Sequence, residues 1–199
     1  CIKKQLYGEA YLVRFADDFL IMFQYERDAQ RVYEAIIKRM ELFGLELSKE
    51  KTRILPFGRN CGTRETFDFL GFTHFNSKTR KGYYTVGHKI SRKKKKQFKS
   101  NLKKWVKKNR NTQFDEFMKA LNKKLTGSFN YYSLSGMIRE VRSLWIHSLY
   151  VTFKWMNRRS QRKSFKLERF YEIWNDQIVH PFIHVDIWSG DKVIYIKNV

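Results

Sequence analysis

The sequence predicts an α+β chain in two parts, strand-rich up to about residue 88 and helical and strongly basic after it. Three observations carry this. Residues 11–24, YLVRFADDFLIMFQ, are two apolar, aromatic-rich runs around Asp17-Asp18, the pattern of a β-hairpin with acidic residues at its tip. The composition changes near residue 88, where residues 89–110 hold twelve Lys or Arg and no acidic residue. Beyond them Ile138, Val141, Trp145, Leu149, Thr152 and Met156 recur at helical spacing.

The remaining elements follow in order. Val32, Ile36, Met40 and Phe43 predict a helix over 28–43, with Gly44 where a C-terminal cap belongs. LELSKEKTRILPF (45–57) reads as a turn followed by a strand. FDFLGF (67–72) and YYTV (83–86) read as further strands. Phe98, Leu102 and Trp105 share one helical face; Phe114, Phe117, Met118 and Leu121 share another. Residues 159–199 begin basic and then read as irregular, with alternating apolar residues near 183–187 and 193–196. No internal repeat and no Gly/Ser-rich linker is present.

Charge narrows the partner. The 199 residues carry a formal net charge of +22, and 42% of them are hydrophobic. An excess of that size repels itself in a compact state unless a polyanion neutralises it, which points to nucleic acid. No apolar run approaches the roughly 20 residues of a membrane span, and Arg14 and Asp17-Asp18 break the first apolar stretch, so neither a membrane nor a signal peptide is expected. Cys1 and Cys61 have no paired spacing, so a thiolate zinc site is not expected; a reducing, cytoplasmic, nucleoid-associated location is. The first residue is not Met, which suggests a start within a longer protein.

Asp17-Asp18 is the main candidate for chemistry. A regular strand sends adjacent side chains to opposite faces, whereas a hairpin tip can bring both near one point. Carboxylate oxygens suit Mg²⁺, which takes one or two protein carboxylates plus substrate phosphates. Two such ions stabilise the attacking and leaving oxygens of phosphoryl transfer. An isolated Asp-Asp is more often a solvated acidic turn; the flanks decide between the two.

RFADDFLI (14–21) resembles the RYADDFLI signature of bacterial group II intron reverse transcriptases, with Phe15 in place of Tyr. The resemblance continues in order through GLELSKEKTRIL (44–55), FDFLGF (67–72), LTGSFNYY (125–132) and WMNRRSQRKSF (155–165), and so covers most of the chain. It implies the C-terminal part of a polymerase palm over 1–88, a helical thumb, or maturase domain, over 89–158, and a basic C-terminal segment over 159–199 as a possible DNA-binding region. It implies an RNA-directed DNA polymerase with two Mg²⁺ ions, acting with dNTPs, an RNA template or intron RNA, a DNA primer or target, and the N-terminal part of the same polymerase.

The resemblance also implies roles. Asp17 would be a direct metal ligand and Asp18 its acidic companion. Phe15 and Ala16 would lie beside the incoming nucleotide, and Lys51 near the leaving pyrophosphate, although Lys51 reads equally well as a surface lysine. Phe69, Leu70, Gly71 and Phe72 would form the primer grip; their plainer reading is strand core. The family's other metal-binding Asp lies in an earlier strand, and no segment before residue 11 supplies it. The chain alone is therefore expected not to polymerise.

The basic run has a reading of its own. Its apolar residues line one side, leaving Arg92, Lys93, Lys94, Lys95, Lys96, Lys99 and Lys103 to track a phosphate backbone. Arg158, Arg159, Arg162 and Lys163 form a second cluster. Phe129, Tyr131, Tyr132, Trp145 and Trp155 could stack on bases, though their spacing favours core. His180 and His184 are four apart, but Pro181 between them argues against a metal pair on a helix. Two other functions compete with a group II intron reverse transcriptase: an RNA-binding maturase without a polymerase role, and a reverse transcriptase outside any intron, in defence or CRISPR adaptation.

Overall fold

In the computed structural model of the chain, residues 5–48, 50–59, 61–159 and 164–182 are described. The fold is α+β, as expected, and divides into two compact units. One comprises Cys1–Leu70 and His74–Gly87; the other comprises Gly71–Thr73 and His88–Val199.

In the first unit, β1 (Ala10–Phe15) and β2 (Asp18–Phe23) form an antiparallel ribbon paired from Ala10↔Phe23 to Phe15↔Asp18. Helix α1 (Glu26–Leu42) packs on β2. Glu26 and Asp28 in its first turn complement the helix dipole. Its end is a Schellman motif: Gly44 takes φ 67°, its N–H donates to Glu41 O, and Leu45 N–H reaches back to Met40 O. Asp28 is buried, and one of its oxygens accepts from the N–H groups of Tyr7 and Gly8 at 3.0 Å each, anchoring the segment that leads into β1. Gly8 leaves room there: a Cβ would lie 2.7 Å from Gln24 Oε1 and from the Tyr25 ring, so both side chains would have to shift.

A three-stranded antiparallel sheet, in the order β3-β4-β5, follows from β3 (Thr66–Phe69), β4 (Phe72–Lys78) and β5 (Tyr84–Ile90). FDFLGF is a hairpin, as its resemblance to a primer-grip hairpin implies, and not one strand: Leu70 and Gly71 are a turn at φ 50° and 82°, positive at both central positions as a type I′ hairpin requires. Most of β4 escapes a hydrophobic reading because Thr73, His74, Asn76 and Ser77 are polar. The strand expected within 45–57 does not form. Ser48 O accepts from the N–H groups of Lys51 and Thr52, closing a turn, and the Arg53 side chain bonds Thr66 O, capping a β3 carbonyl in place of a pairing strand. The loop that follows is tied down by Asn76, which accepts from Gly58 N–H and Tyr84 O–H and donates to Cys61 Sγ. Hydrogen bonds from Thr63 to the Cys61 thiol favour its thiolate and lower its pKa.

Gly87 on β5 faces the Phe75 ring, and a Cβ there would meet it at 2.5 Å. Gly87→Ala is expected to destabilise the unit by about 1–3 kcal/mol through overpacking, read as a lower urea midpoint. An unchanged midpoint would mean that Phe75 has room to turn away.

The second unit is a helical bundle of α2 (Arg92–Asn109), α3 (Phe114–Tyr132), α4 (Ile138–Met156) and α5 (Leu167–Gln177). Helix α2 starts at Ser91, whose hydroxyl accepts from Lys94 N–H, and packs on α4. Helix α5 packs on α3 and α4. The anticipated stripes bury Leu102, Phe117, Leu121, Val141, Leu149 and Met156. Helix α5 corrects the expectation of irregular structure over 167–177; residues 160–163 and 183–199, with their alternating apolar stretches, lie outside the described residues. Phe170 and Trp174, spaced by four, are its buried face, with Ile178 buried just past its end, and the polar flanks 158–169 hid that period. Asn157 fixes the approach to α5 by accepting from Phe165 N–H at 2.8 Å and donating to Phe165 O at 3.0 Å. Among the described residues no helix is long and apolar enough to cross a membrane.

Candidate active site and nucleic-acid interface

The β1–β2 turn places the acidic pair. Ala16 and Asp17 are its two residues, and Asp18 opens β2 opposite Phe15. Ala16 has φ 53°, a conformation that hairpin turns demand and that Gly or Asn usually supplies. Arg14 holds the turn by donating from Nε to Ala16 O at 2.8 Å. The strain therefore sits at the residue before the two carboxylates, which suits a functional turn. Ala16→Gly is expected to relieve it and stabilise the ribbon by about 1 kcal/mol. A lower denaturation midpoint in that variant would contradict a positive φ at this position.

Asp17 and Asp18 are both exposed, and no cation pairs with either among the described residues. Two hard-oxygen donors, one in the turn and one opening β2, suit a cation that takes its other ligands from water and substrate phosphates. No group of three His, Cys, Asp or Glu able to hold a metal exists among the described residues, so a site here depends on donors beyond this pair. Phe15 is 64% exposed beside the pair. Lys51 is exposed in the 48–51 turn, and no hydrogen bond or ion pair joins it to the β1–β2 hairpin among the described residues.

The four residues of the expected primer grip fall in different settings. Phe69 ends β3 and Leu70 begins the turn, both in the first unit. In the second unit, Gly71 O accepts from Ser91 N–H at 2.9 Å. Phe72 is buried, stacked on Tyr131 and edge-on to Tyr132 at 5.6 and 5.5 Å between ring centres. Its ring is core.

On α2, Arg92, Lys93, Lys94, Lys96 and Lys103 are exposed, while Lys99 is half-buried. The Lys95 Nζ is 3.0 Å from Glu140 Oε2, linking α2 to α4. About a third of each side chain is exposed, so Glu140→Gln is expected to cost no more than about 1 kcal/mol of stability in a urea titration. Arg158 is exposed; Arg159 is half-buried, donates to Thr112 O, and has its pKa lowered by burial. Arg162, Lys163 and His184 lie outside the described residues. Of the aromatics considered for stacking, Phe129, Tyr132 and Trp145 are core, with His180 stacked on Trp145. Trp155 is half-buried beneath three cations, and Tyr131, 53% exposed, stacks on Phe72.

Sequence reasoning missed Arg14, although it opens the RFADDFLI motif, and Asp28, whose backbone contacts lie about twenty residues away and leave no local signal. It also passed over Lys107 and Arg110, which the packing of α2 on α4 brings to Trp155, and Lys154, which precedes Trp155 on α4.

Residues 2–74 match the family model for reverse transcriptases, RNA-dependent DNA polymerases. The matched stretch contains the β1–β2 and β3–β4 turns, Asp17-Asp18 and Lys51, and none of α2–α5. No curated protein matches the chain.

Proposed function

We propose that this chain is the palm end and thumb of a group II intron reverse transcriptase, which joins dNTPs to a DNA primer on an RNA template and binds its intron RNA to assist splicing. The observation that carries the reading is the exposed Asp17-Asp18 pair on a strained hairpin turn inside the segment that matches reverse transcriptases. Asp17 and Asp18 would hold Mg²⁺, whose chemistry is to stabilise the attacking and leaving oxygens of phosphoryl transfer. The chain's own residues position and hold. The Arg14 bond to Ala16 O fixes the turn, so the backbone that carries the carboxylates is set before substrate arrives. Phe15 offers an exposed ring beside them for the incoming nucleotide, and Lys51 serves the pyrophosphate side. Leu70 and Gly71 shape the primer-grip turn.

The β1–β2 ribbon leaves Tyr11, Leu12 and Val13 exposed. A two-stranded ribbon is marginal alone. This supports the N-terminal part of the same polymerase as the partner that covers it and supplies the remaining metal ligand. The basic α2 supports RNA binding by the thumb.

The test is RNA-templated primer extension by the polymerase that carries this segment. DNA product should require dNTPs and Mg²⁺, and the 199-residue chain alone should give none above background. Product from this chain alone would overturn the division of the active site. For the intron role, the gene should lie within an RNA that splices faster with the protein than without it; a flanking sequence with no intron fold would remove that part.

A further inference from the structure

A cleft of about 250 Å³ lies in the second unit, lined by Lys103 of α2, by Val151, Lys154 and Trp155 of α4, and by Arg158 just beyond α4. Two more cations reach the same indole. Lys107 Nζ lies 5.6 Å from the Trp155 ring centre, and Arg110 Cζ lies 5.4 Å from it, as does Arg158 Cζ. Five positive side chains therefore gather about one half-buried ring. None has an acidic partner among the described residues, whose ion pairs are Lys95–Glu140 and Arg169–Glu172.

Helix termini do not account for this charge. Helices α2 and α4 both end near the cleft, and each C-terminus presents about half a negative charge. Together they offset roughly one of the five positive charges. Cation–π attraction to one indole is individually weak and offsets little more. The arrangement is complete only with an anion in it. A bilayer surface is a poor match, because interfacial binding needs an apolar face to enter the membrane, and Val151 is the one aliphatic residue lining the cleft. A concave site of this size suits the backbone of one strand.

We propose that this cleft is a phosphate cradle for single-stranded nucleic acid, in which Lys103, Lys154 and Arg158 contact the backbone and Trp155 is a positioning residue. The indole holds Lys107, Arg110 and Arg158 toward a common point, so their charges are ordered before the strand arrives. With three cations over it, the ring serves as their platform and not as a stacking surface for bases. The inference rests on the reading of the helical unit as RNA-binding and divides that surface into two stations: the exposed lysines at the start of α2, and this cleft at its end.

The experiment is fluorescence anisotropy of the full chain with a labelled oligouridylate across a salt series. Three variants are compared: Lys103→Gln with Lys154→Gln and Arg158→Gln; Trp155→Leu; and Lys93→Gln with Lys94→Gln and Lys96→Gln. Each lost phosphate contact should flatten the slope of log K against log salt by about 0.7, so the first variant should flatten it by about 2. Trp155→Leu should weaken binding by about 3–10-fold with every charge in place, and Trp155→Phe should recover part of the loss. Inorganic polyphosphate should compete at the cleft, since bases are not read there. If the cleft variant and Trp155→Leu bind like wild type while the Lys93–Lys96 variant is weakened, the cradle is refuted and the RNA-binding reading stands. If no variant differs, both fail. If phosphatidylserine vesicles bind more tightly than RNA and the cleft variant loses them, the site is a lipid site and the proposal is overturned. The three-charge variant changes surface residues alone, so the test holds even if Trp155→Leu does not fold.

Discussion

Asp17→Asn is expected to lower Mg²⁺-dependent primer extension by the complete polymerase by roughly 10²–10³-fold or more, the scale of losing one charge-stabilising group in a transfer site. The substitution keeps the size of the side chain and removes its charge. The turn should survive, because Arg14 holds it through the carbonyl of Ala16 and not through either carboxylate. RNA affinity should therefore stay close to wild type, which separates a lost metal ligand from a misfolded ribbon. Asp176→Asn, an exposed acid on α5, is the control and should change neither property. Undiminished extension by Asp17→Asn would remove the metal-site assignment.

The second large effect concerns RNA binding at the start of α2. Lys93→Gln, Lys94→Gln and Lys96→Gln together should weaken RNA binding and flatten its salt dependence by about 2 slope units, at about 0.7 per phosphate contact. Lys95 is left out because Glu140 already compensates it. Lys95→Gln alone should shift stability slightly and leave the slope unchanged. The variants must match wild type in circular dichroism. A folded triple variant with unchanged slope and affinity would show these lysines to be a solvated face.

Much of this architecture was legible from local pattern. The ribbon shows in YLVRFADDFLIMFQ because its turn falls between two apolar runs. The end of α1 shows at Gly44 because a left-handed cap favours glycine, and α4 shows because its buried residues keep a helical period over nineteen residues. What was not legible depended on long-range partners or on polar strands. Strand β4 is mostly polar; its place is set by pairing with β3 and β5, which leaves little trace in its own residues. The segment 45–57 has strand-like composition, yet Arg53 satisfies Thr66 O with its side chain and no ladder forms. Helix α5 was hidden because its buried face is only Phe170 and Trp174 among polar flanks.

The candidate site shows the same divide. Asp17 and Asp18 are a sequence motif, readable at once. The strain at Ala16, the brace from Arg14 and the anchor at Asp28 are properties of the folded backbone. Lys95 looked equivalent to its neighbours in a run of lysines, and only the packing of α2 on α4 sets it apart.

The central claim is that Asp17 and Asp18 hold a divalent cation at the point of phosphoryl transfer. Its most direct test is iron-mediated cleavage. Fe²⁺ replaces Mg²⁺ in the complete polymerase bound to primer, RNA template and dNTP, ascorbate and peroxide are added, and the cut sites are mapped by mass spectrometry. The account expects a cut within a few residues of Asp17 that disappears in Asp17→Asn. Cuts confined to other parts of the chain, or a cut near Asp17 that persists in the variant, would contradict it.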